Sequence, residues 1–507
     1  MAATERAGEA PRLSYATKVL YAVGATATNL KLRALSTFLV IFYNQVVGLP
    51  PQLVGSILAA ALVFDAVLDP VIGQFSDNLR SRWGRRHPFM LVAAVPYALA
   101  FFLLWTPPAD WSHGALAIYL AVCLFAVRFF DTFFELPHQA LAPELAKGYD
   151  ERTNLLAMRH FFAVAGGLGM TVLAYQVFLK EQPDGTGGVL ARDGYFAYAL
   201  TGALIIFGTV LASTLGTASR IPYLTPAPQR QITLKGMVVE MAQTLNNRAF
   251  LSAAVSMMFI AVAVGARNGL EIYFGLYFWE LKQSQLATLA TMSVVGGFMG
   301  VGLAPVVGRW LGKKNGAIAV FAAAVLVHIT PVSLRLLGLA PANGTPELLA
   351  LLYGEEIINA TLAAATGILL AAIIADVVED AEVKTGRRSE GLLMSANALF
   401  RKMISGMGVF IATTVLALAN FPEKAERGQV APEALYSLGL AYIPIIVGLY
   451  GIAIGLLFTY NITRERHEAN LEKLRASATE QAAAEAGPGI NSGEVTTRSA
   501  LRPEASA

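Results

Sequence analysis

Apolar residues in this chain come in blocks of about twenty, and no other feature constrains the fold as tightly. Phe89 to Trp105, Tyr195 to Leu215, Ala317 to Leu337 and Leu435 to Tyr460 run almost free of charge. A bilayer's hydrocarbon core is ~30 Å thick, and about 20 helical residues cross it. No water is available there to satisfy backbone groups, so each block is expected to be a helix that bonds to itself. Blocks of this length, divided by turn signals, number twelve. The first six are Lys18–Val47, Leu53–Gln74, Phe89–Trp105, Ala115–Leu141, Leu155–Leu179 and Tyr195–Leu215. The second six are Phe250–Trp279, Leu286–Gly308, Ala317–Leu337, Leu348–Ala375, Leu392–Ala419 and Leu435–Tyr460. Charged residues make up only 14% of the 507, against about 25% in soluble domains. The chain reads as an all-α membrane protein embedded in a lipid bilayer.

Punctuation gives five regions: a tail at 1–14, a six-span unit at 15–217, a polar link at 218–248, a second six-span unit at 249–462, and a tail at 463–507. Within the link, Leu234, Met237, Val238, Met241 and Leu245 fall on one helical face, the pattern of a helix lying in the membrane interface. The final tail is rich in Ala, Glu, Ser and Gly, and is expected to be mostly disordered. The opening "MAATERAGEAPRLSY" has no apolar core, so no signal peptide is expected. Lys and Arg concentrate in the loops after the second, fourth, eighth and tenth spans. By the positive-inside rule both tails and the link are cytoplasmic. A short echo joins the halves: "LDPVIGQFSD" from Leu68 and "LAPVVGRWLG" from Leu303 share L-x-P-V-[IV]-G six spans apart, as parallel repeats do.

An ionised side chain at mid-bilayer costs about 2.5–3.5 kcal/mol on insertion scales and usually faces a cavity or another charge. Here such groups cluster. Asp65 and Asp69 are four apart, on one face of the second span. Lys31 and Arg33 lie in the first span, Arg128, Asp131 and Glu135 in the fourth, and Arg159 near the start of the fifth. Arg267 and Glu271 sit four apart in the seventh, Glu355 and Glu356 early in the tenth, and Arg401 and Lys402 in the eleventh. For Arg159, Glu355, Glu356 and Arg401, snorkelling to the interface competes with a role in a cavity; for Arg267 and Glu271 a local ion pair is the plainer reading. Two aspartates one turn apart repel, and a bound cation, a proton or a base such as Lys402 relieves them; this is the geometry of a cation-coupling site. The basic run Arg80, Arg82, Arg85 and Arg86 turns at Gly84 and is expected to pair with Asp77 as a cytoplasmic gate, or to serve as positive-inside anchoring. Net charge is +3, which suggests no nucleic-acid partner. Cys123 is the single cysteine, which excludes a disulfide or a thiolate metal site. No nucleophile elbow, phosphate loop or metal-binding helix motif points to an embedded enzyme. "GGLG" after Ala165 and "GGFMGVG" after Val295 read as close helix packing.

"DAVLDPVIGQFSDNLRSRWGRRHPF" resembles the signature of the glycoside–pentoside–hexuronide:cation symporters, the melibiose-carrier group of the major facilitator superfamily. "YAVGATATN", "VVGLPPQLVG", "ELPHQALAPEL", "RHFFAVAGGLG" and "ADVVEDAEVKTGRRSEG" with "LFRKMISG" extend the likeness from about Leu13 to Tyr460. The resemblance implies twelve helices in two pseudo-symmetric six-helix bundles, and symport of a sugar, glycoside or sugar acid with H+ or Na+ by alternating access. It implies a monomer in a bacterial inner membrane, with no cofactor and no bound metal beyond the coupling ion. Asp65, Asp69 and Thr132 match the cation site and Lys402 the lysine that neutralises it; Glu135 and Arg159 match positions lining the sugar site. Three positions depart from the galactoside members: Asn29 and Glu135 each replace an Asp, and Gln139 replaces a stacking Trp. Leu68 replaces the Asn of sodium-using members, which tilts the expectation toward a proton. Lys31 and Arg33, near Asn29, either pair with Asp65, Asp69 or Glu135 or bind an acidic substrate such as a hexuronide. A lysolipid transporter of the same fold is the alternative reading.

Overall fold

The computed structural model describes residues 13–79, 81–146, 149–181, 187–224, 248–385 and 407–460, together with Ala469. The expected interfacial helix of the link, Arg80, Arg401, Lys402 and nearly all of the C-terminal tail lie outside these residues, as does the side chain of Asp77.

The first span, α1, is assembled from consecutive helical pieces Tyr15–Val23, Ala25–Thr37 and Leu39–Ile41 and a π-helical turn Phe42–Val47. Ser14 caps its start by accepting from the Thr17 N–H at 3.1 Å, satisfying one of the orphan donors of a first turn. The following spans are α2 (Pro51–Asn78), α3 (His87–Leu104), α4 (His113–Leu145), α5 (Tyr149–Leu173, continued by the π turn Ala174–Phe178) and α6 (Gly194–Ala218). In the second half, α7 is Arg248–Tyr273, continued by the π turn Phe274–Phe278. The 54-residue helix Gln283–Leu336 is interrupted at Gly312 (φ 74°, ψ 166°), which divides it into α8 and α9. α10 is Pro346–Thr385, α11 is the shorter Met407–Leu418, and α12 is Pro432–Phe458. Among the described residues nine helices are long and apolar enough to cross a membrane, Gln283–Leu336 being one of them. Divided at Gly312, and joined by α1 and α11, they make the twelve spans expected from the sequence. The helices outrun the apolar blocks: α4 continues past Leu141, through Pro143, to Leu145.

Burial follows a bilayer's logic. On α2, Val67 and Phe75 are 66% and 64% exposed, whereas Asp65 is 2% exposed. Greasy side chains face outward and the charge faces in, as expected when the surroundings are lipid.

Within the first half α3 packs on α4 and α6, α1 on α5 and α6, and α2 on α4; within the second, α8 and α9 pack on α10, and α7 on α12. The halves meet where α1, α5 and α7 each finish in a π turn, at the end of the bundle marked by Gly48. There Tyr273 donates to Asn44 Oδ1 at 2.8 Å and Tyr277 to Gln45 Oε1 at 3.3 Å. Gln45 Oε1 also accepts from the Ala425 N–H at 2.7 Å, and Arg427 pairs with Glu181 at 3.1 Å. At the opposite end, marked by Arg85, the described ion pairs stay within one half: Lys18 with Glu151 at 3.3 Å, and Lys313 with Asp376 at 2.6 Å. The cleft between the halves is therefore tied shut at the Gly48 end.

Candidate functional site

α2 and α4 run in the same direction, and each offers a polar residue every fourth position to the other. Asp65 Oδ2 accepts from Arg128 Nη1 at 2.5 Å. One turn on, Asp69 Oδ1 accepts from Thr132 Oγ1 at 3.1 Å. Asp65, Arg128 and Thr132 are buried and Asp69 half-buried. The structure thus brings Asp65, Asp69 and Thr132 into one crevice, and adds Arg128 as the counter-charge of the first aspartate.

A second polar knot sits beside it. Lys31 Nζ pairs with Asp131 Oδ2 at 2.5 Å, and Asp131 Oδ1 accepts from Tyr97 at 2.8 Å and Thr28 at 3.1 Å. Lys31 was expected either to pair with Asp65, Asp69 or Glu135 or to bind an acidic substrate; its partner is Asp131. The reason is the helical step: Asp131 is the residue before Thr132, and one step of about 100° turns it from α2 toward α1 and α3. Glu135, one turn further, accepts from Gln139 at 2.6 Å, and Gln139 itself is exposed. Asn29 is half-buried where α1 crosses α5, its Oδ1 3.1 Å from where a Cβ on Gly167 would stand. Arg33 is exposed, and Arg159 of α5 is half-buried near Tyr21 and His138.

The basic turn meets a carboxylate that the sequence did not point to. Gly84 takes φ 76°, a left-handed value that glycine adopts without strain. Arg85 and Arg86 both reach Glu144 at the end of α4, the latter at 2.5 Å. The expected partner was Asp77, whose side chain is outside the described set. α4 is long enough to carry Glu144 beneath the α2–α3 turn, so a carboxylate beyond the apolar block supplies the contact. Arg82 is exposed.

The second half carries a polar centre that sequence reasoning left scattered. A cavity between α7, α9, α10 and α12 is lined by Arg267, Glu271, His328, Glu355, Glu356 and Tyr442, with Thr37 and Tyr175 reaching it from the first half. Arg267 pairs with Glu356 at 3.0 Å and donates to Asn359; it does not close a local pair with Glu271. His328 bridges Glu355 Oε1 (3.2 Å, from Nδ1) and the Tyr442 hydroxyl (2.6 Å, from Nε2). Glu355 and Glu356 therefore face this interior rather than snorkelling. The missed residues are His328, Asn359 and Tyr442. The available signal was a histidine in the otherwise nearly uncharged block 317–337, one span before two glutamates. Among the described residues no cluster of His, Cys, Asp and Glu could hold a metal ion.

Comparisons with known proteins agree with this architecture. The family model described as MFS/sugar transport protein matches residues 20–464. An isoprimeverose transporter of Lactiplantibacillus pentosus is 26% identical, with 86% of this chain and 87% of that one covered. A glucuronide carrier protein homolog of Escherichia coli (strain K12) is 24% identical, with 90% and 94% covered. Among solved structures, the nucleoside transporter NupG superposes with a TM-score of 0.58 at 14% identity, covering 89% of this chain and all of that one (100%). A bacterial homolog of the human lysosomal transporter Spinster, inward-facing and occupied, gives 0.61 at 14% identity, with 91% and 99% covered. At such identities the structures speak for the fold alone. The family's members are transporters rather than enzymes, and this chain belongs to it: it is a major facilitator superfamily protein of the glycoside–pentoside–hexuronide:cation symporter family.

Proposed function

We propose that this sugar–cation symporter is driven by protons, that Asp69 is the carboxylate that exchanges them, and that the sugar or sugar acid binds in the cleft between the halves. The α2–α4 crevice carries the reading. Asp65 is already matched by the Arg128 guanidinium, which stands where a sodium ion would need oxygen ligands, and Leu68 contributes none. Asp69 accepts from the Thr132 hydroxyl, a contact that a carboxyl group keeps whether or not it carries a proton.

Coupling requires that proton and substrate each favour the other's binding. A protonated Asp69 removes a charge from the cleft and favours loading; release of sugar on the far side lets the proton leave. Tyr273–Asn44, Tyr277–Gln45 and Arg427–Glu181 form the gate that parts when the cleft opens at the Gly48 end. By loop charge that end faces outside, with both termini in the cytoplasm, and the membrane would be a bacterial inner membrane. Lys31 is held by Asp131, which leaves Arg33, exposed on the same helix, as the better partner for a hexuronide carboxylate. The names of the relatives, isoprimeverose and glucuronide carriers, make pentosyl glycosides and hexuronides the first substrates to try.

Reconstituted into liposomes, the wild-type protein should accumulate its sugar when an inward proton gradient is imposed. Asp69→Asn should abolish accumulation while leaving gradient-free exchange measurable. Accumulation at the wild-type level in Asp69→Asn would refute the assignment.

A further inference from the structure

The cavity of the second half has no part in the α2–α4 crevice, yet it holds more ionisable groups. Glu355 lies nine residues into α10, about 14 Å along the helix. That depth places it within the hydrocarbon layer, where an unbalanced charge is costly. Around it stand Arg267 and Glu271 on α7, His328 on α9, Glu356 beside it on α10 and Tyr442 on α12. Arg33 of α1 lies across the cleft, within electrostatic reach of Glu271. Arg267 is engaged by Glu356. Among the described residues three carboxylates thus line this space against the guanidinium of Arg267, with that of Arg33 across the cleft, and one carboxylate is in excess.

We propose that this cavity is a second proton-binding site, in which His328 and Glu355 hold one proton between them independently of Asp69. The hydrogen bonds allow it without movement of heavy atoms. With a neutral ring, Nδ1–H donates to Glu355 and Nε2 accepts the Tyr442 hydroxyl proton. When a proton arrives from water in the cavity, a new N–H bond forms at Nε2, the Tyr442 hydroxyl turns to accept it, and the imidazolium donates on both sides. The distances of 3.2 and 2.6 Å suit both states. The proton is gained whole from water and returned whole; no bond between heavy atoms changes. Glu271 lines the same cavity. It is deep in the protein but open to that space, and makes no hydrogen bond or ion pair among the described residues. The site rests on the transport reading for its purpose but not for its existence: two sites in two halves would let each bundle respond to proton concentration.

Infrared difference spectroscopy of the purified protein, stepped through pH, tests it directly. Wild type should show a titrating transition, in the protonated-carboxyl and imidazolium bands, that is lost in both Glu355→Gln and His328→Gln and kept in Asp69→Asn. Tyr442→Phe, which keeps the carboxylate and the ring, should shift its midpoint. If Glu355→Gln fails to fold, the other two variants carry the same readout. Spectra of Glu355→Gln or His328→Gln that titrate as wild type does would overturn the proposal. The measurement uses neither substrate nor flux. Its failure leaves the Asp69 assignment standing, and failed accumulation assays leave this site standing.

Discussion

The α2–α4 pair and the α8–α10 pair occupy equivalent places in the two halves, and they are held together by opposite means. Aligning the halves on L-x-P-V-[IV]-G sets Asp65 against Gly300 and Asp69 against Ala304. In the first half those positions carry carboxylates that reach Arg128 and Thr132 across a polar crevice. In the second, α8 lies directly on the α10 backbone. A Cβ on Gly300 would stand 2.6 Å from Ala364 Cβ, and closer still to the Thr361 carbonyl; one on Gly296 would stand 2.5 Å from the Ile357 carbonyl. Small-residue contacts of this kind let membrane helices gain van der Waals energy where no hydrophobic effect operates. Equivalent helix pairs form an ion crevice in one half and a closely packed seam in the other. The second half's charges moved to α7, α9 and α10, nearer the Gly48 end.

The sharpest way to break this comparison is to write the first half's residue into the second. Gly300→Asp has neither space for its carboxyl group nor an arginine opposite. We expect a loss of about 4 kcal/mol or more, the range reserved for overpacking combined with an unpaired buried charge, seen as a large fall in Tm of the purified protein. A Gly300→Asp protein as stable as wild type would mean that the seam is not closely packed.

How far this asymmetry could be read from the chain depends on the residue. The twelve spans were legible because apolar length is a local property, and the break at Gly312 falls between two of the blocks. Asp65, Asp69 and Thr132 came together as expected because helical spacing places the two aspartates on one face, while Thr132 came from the family likeness. The glycines of "GGFMGVG" were legible as packing, and Gly296 and Gly300 do that work. The partners were harder. Lys31–Asp131, Arg85–Glu144 and Arg267–Glu356 each join segments far apart in the sequence, and which face of one helix meets another segment is fixed by the whole bundle rather than by spacing along one segment. His328 was passed over for the same cause: its carboxylate lies 27 positions away, and only the packing of α9 on α10 makes them neighbours.

A smaller effect comes from unbalancing the first half's crevice. Arg128→Met leaves Asp65 buried without its guanidinium, at a cost of about 3 kcal/mol. Adding Asp65→Leu should restore most of that stability, because an apolar pair can replace a buried ion pair at little cost. Activity should not return with it, since a carboxylate of the crevice is gone. Equal Tm values for wild type and Arg128→Met would show the pair to be far better hydrated than its burial suggests.

The smallest effect is expected at Glu271, and it separates the two kinds of polar group in the molecule. Asp65 and Glu356 are structural as well as chemical: each answers an arginine, and removing either strands a charge. Glu271 makes no hydrogen bond or ion pair among the described residues and opens into the cavity, with Arg267 and Arg33 acting on it only at longer range. Glu271→Gln should change stability by no more than about 0.5 kcal/mol, as at positions free of packing or pairing. Glu356→Gln, on α10, should cost more because Arg267 loses its ionised partner. Thermal unfolding of the two variants side by side makes the contrast quantitative. If Glu271→Gln proved the more damaging, the carboxylate would have to be a structural partner of Arg267 or Arg33 in the membrane, and the open cavity on which the second proton site depends would be closed.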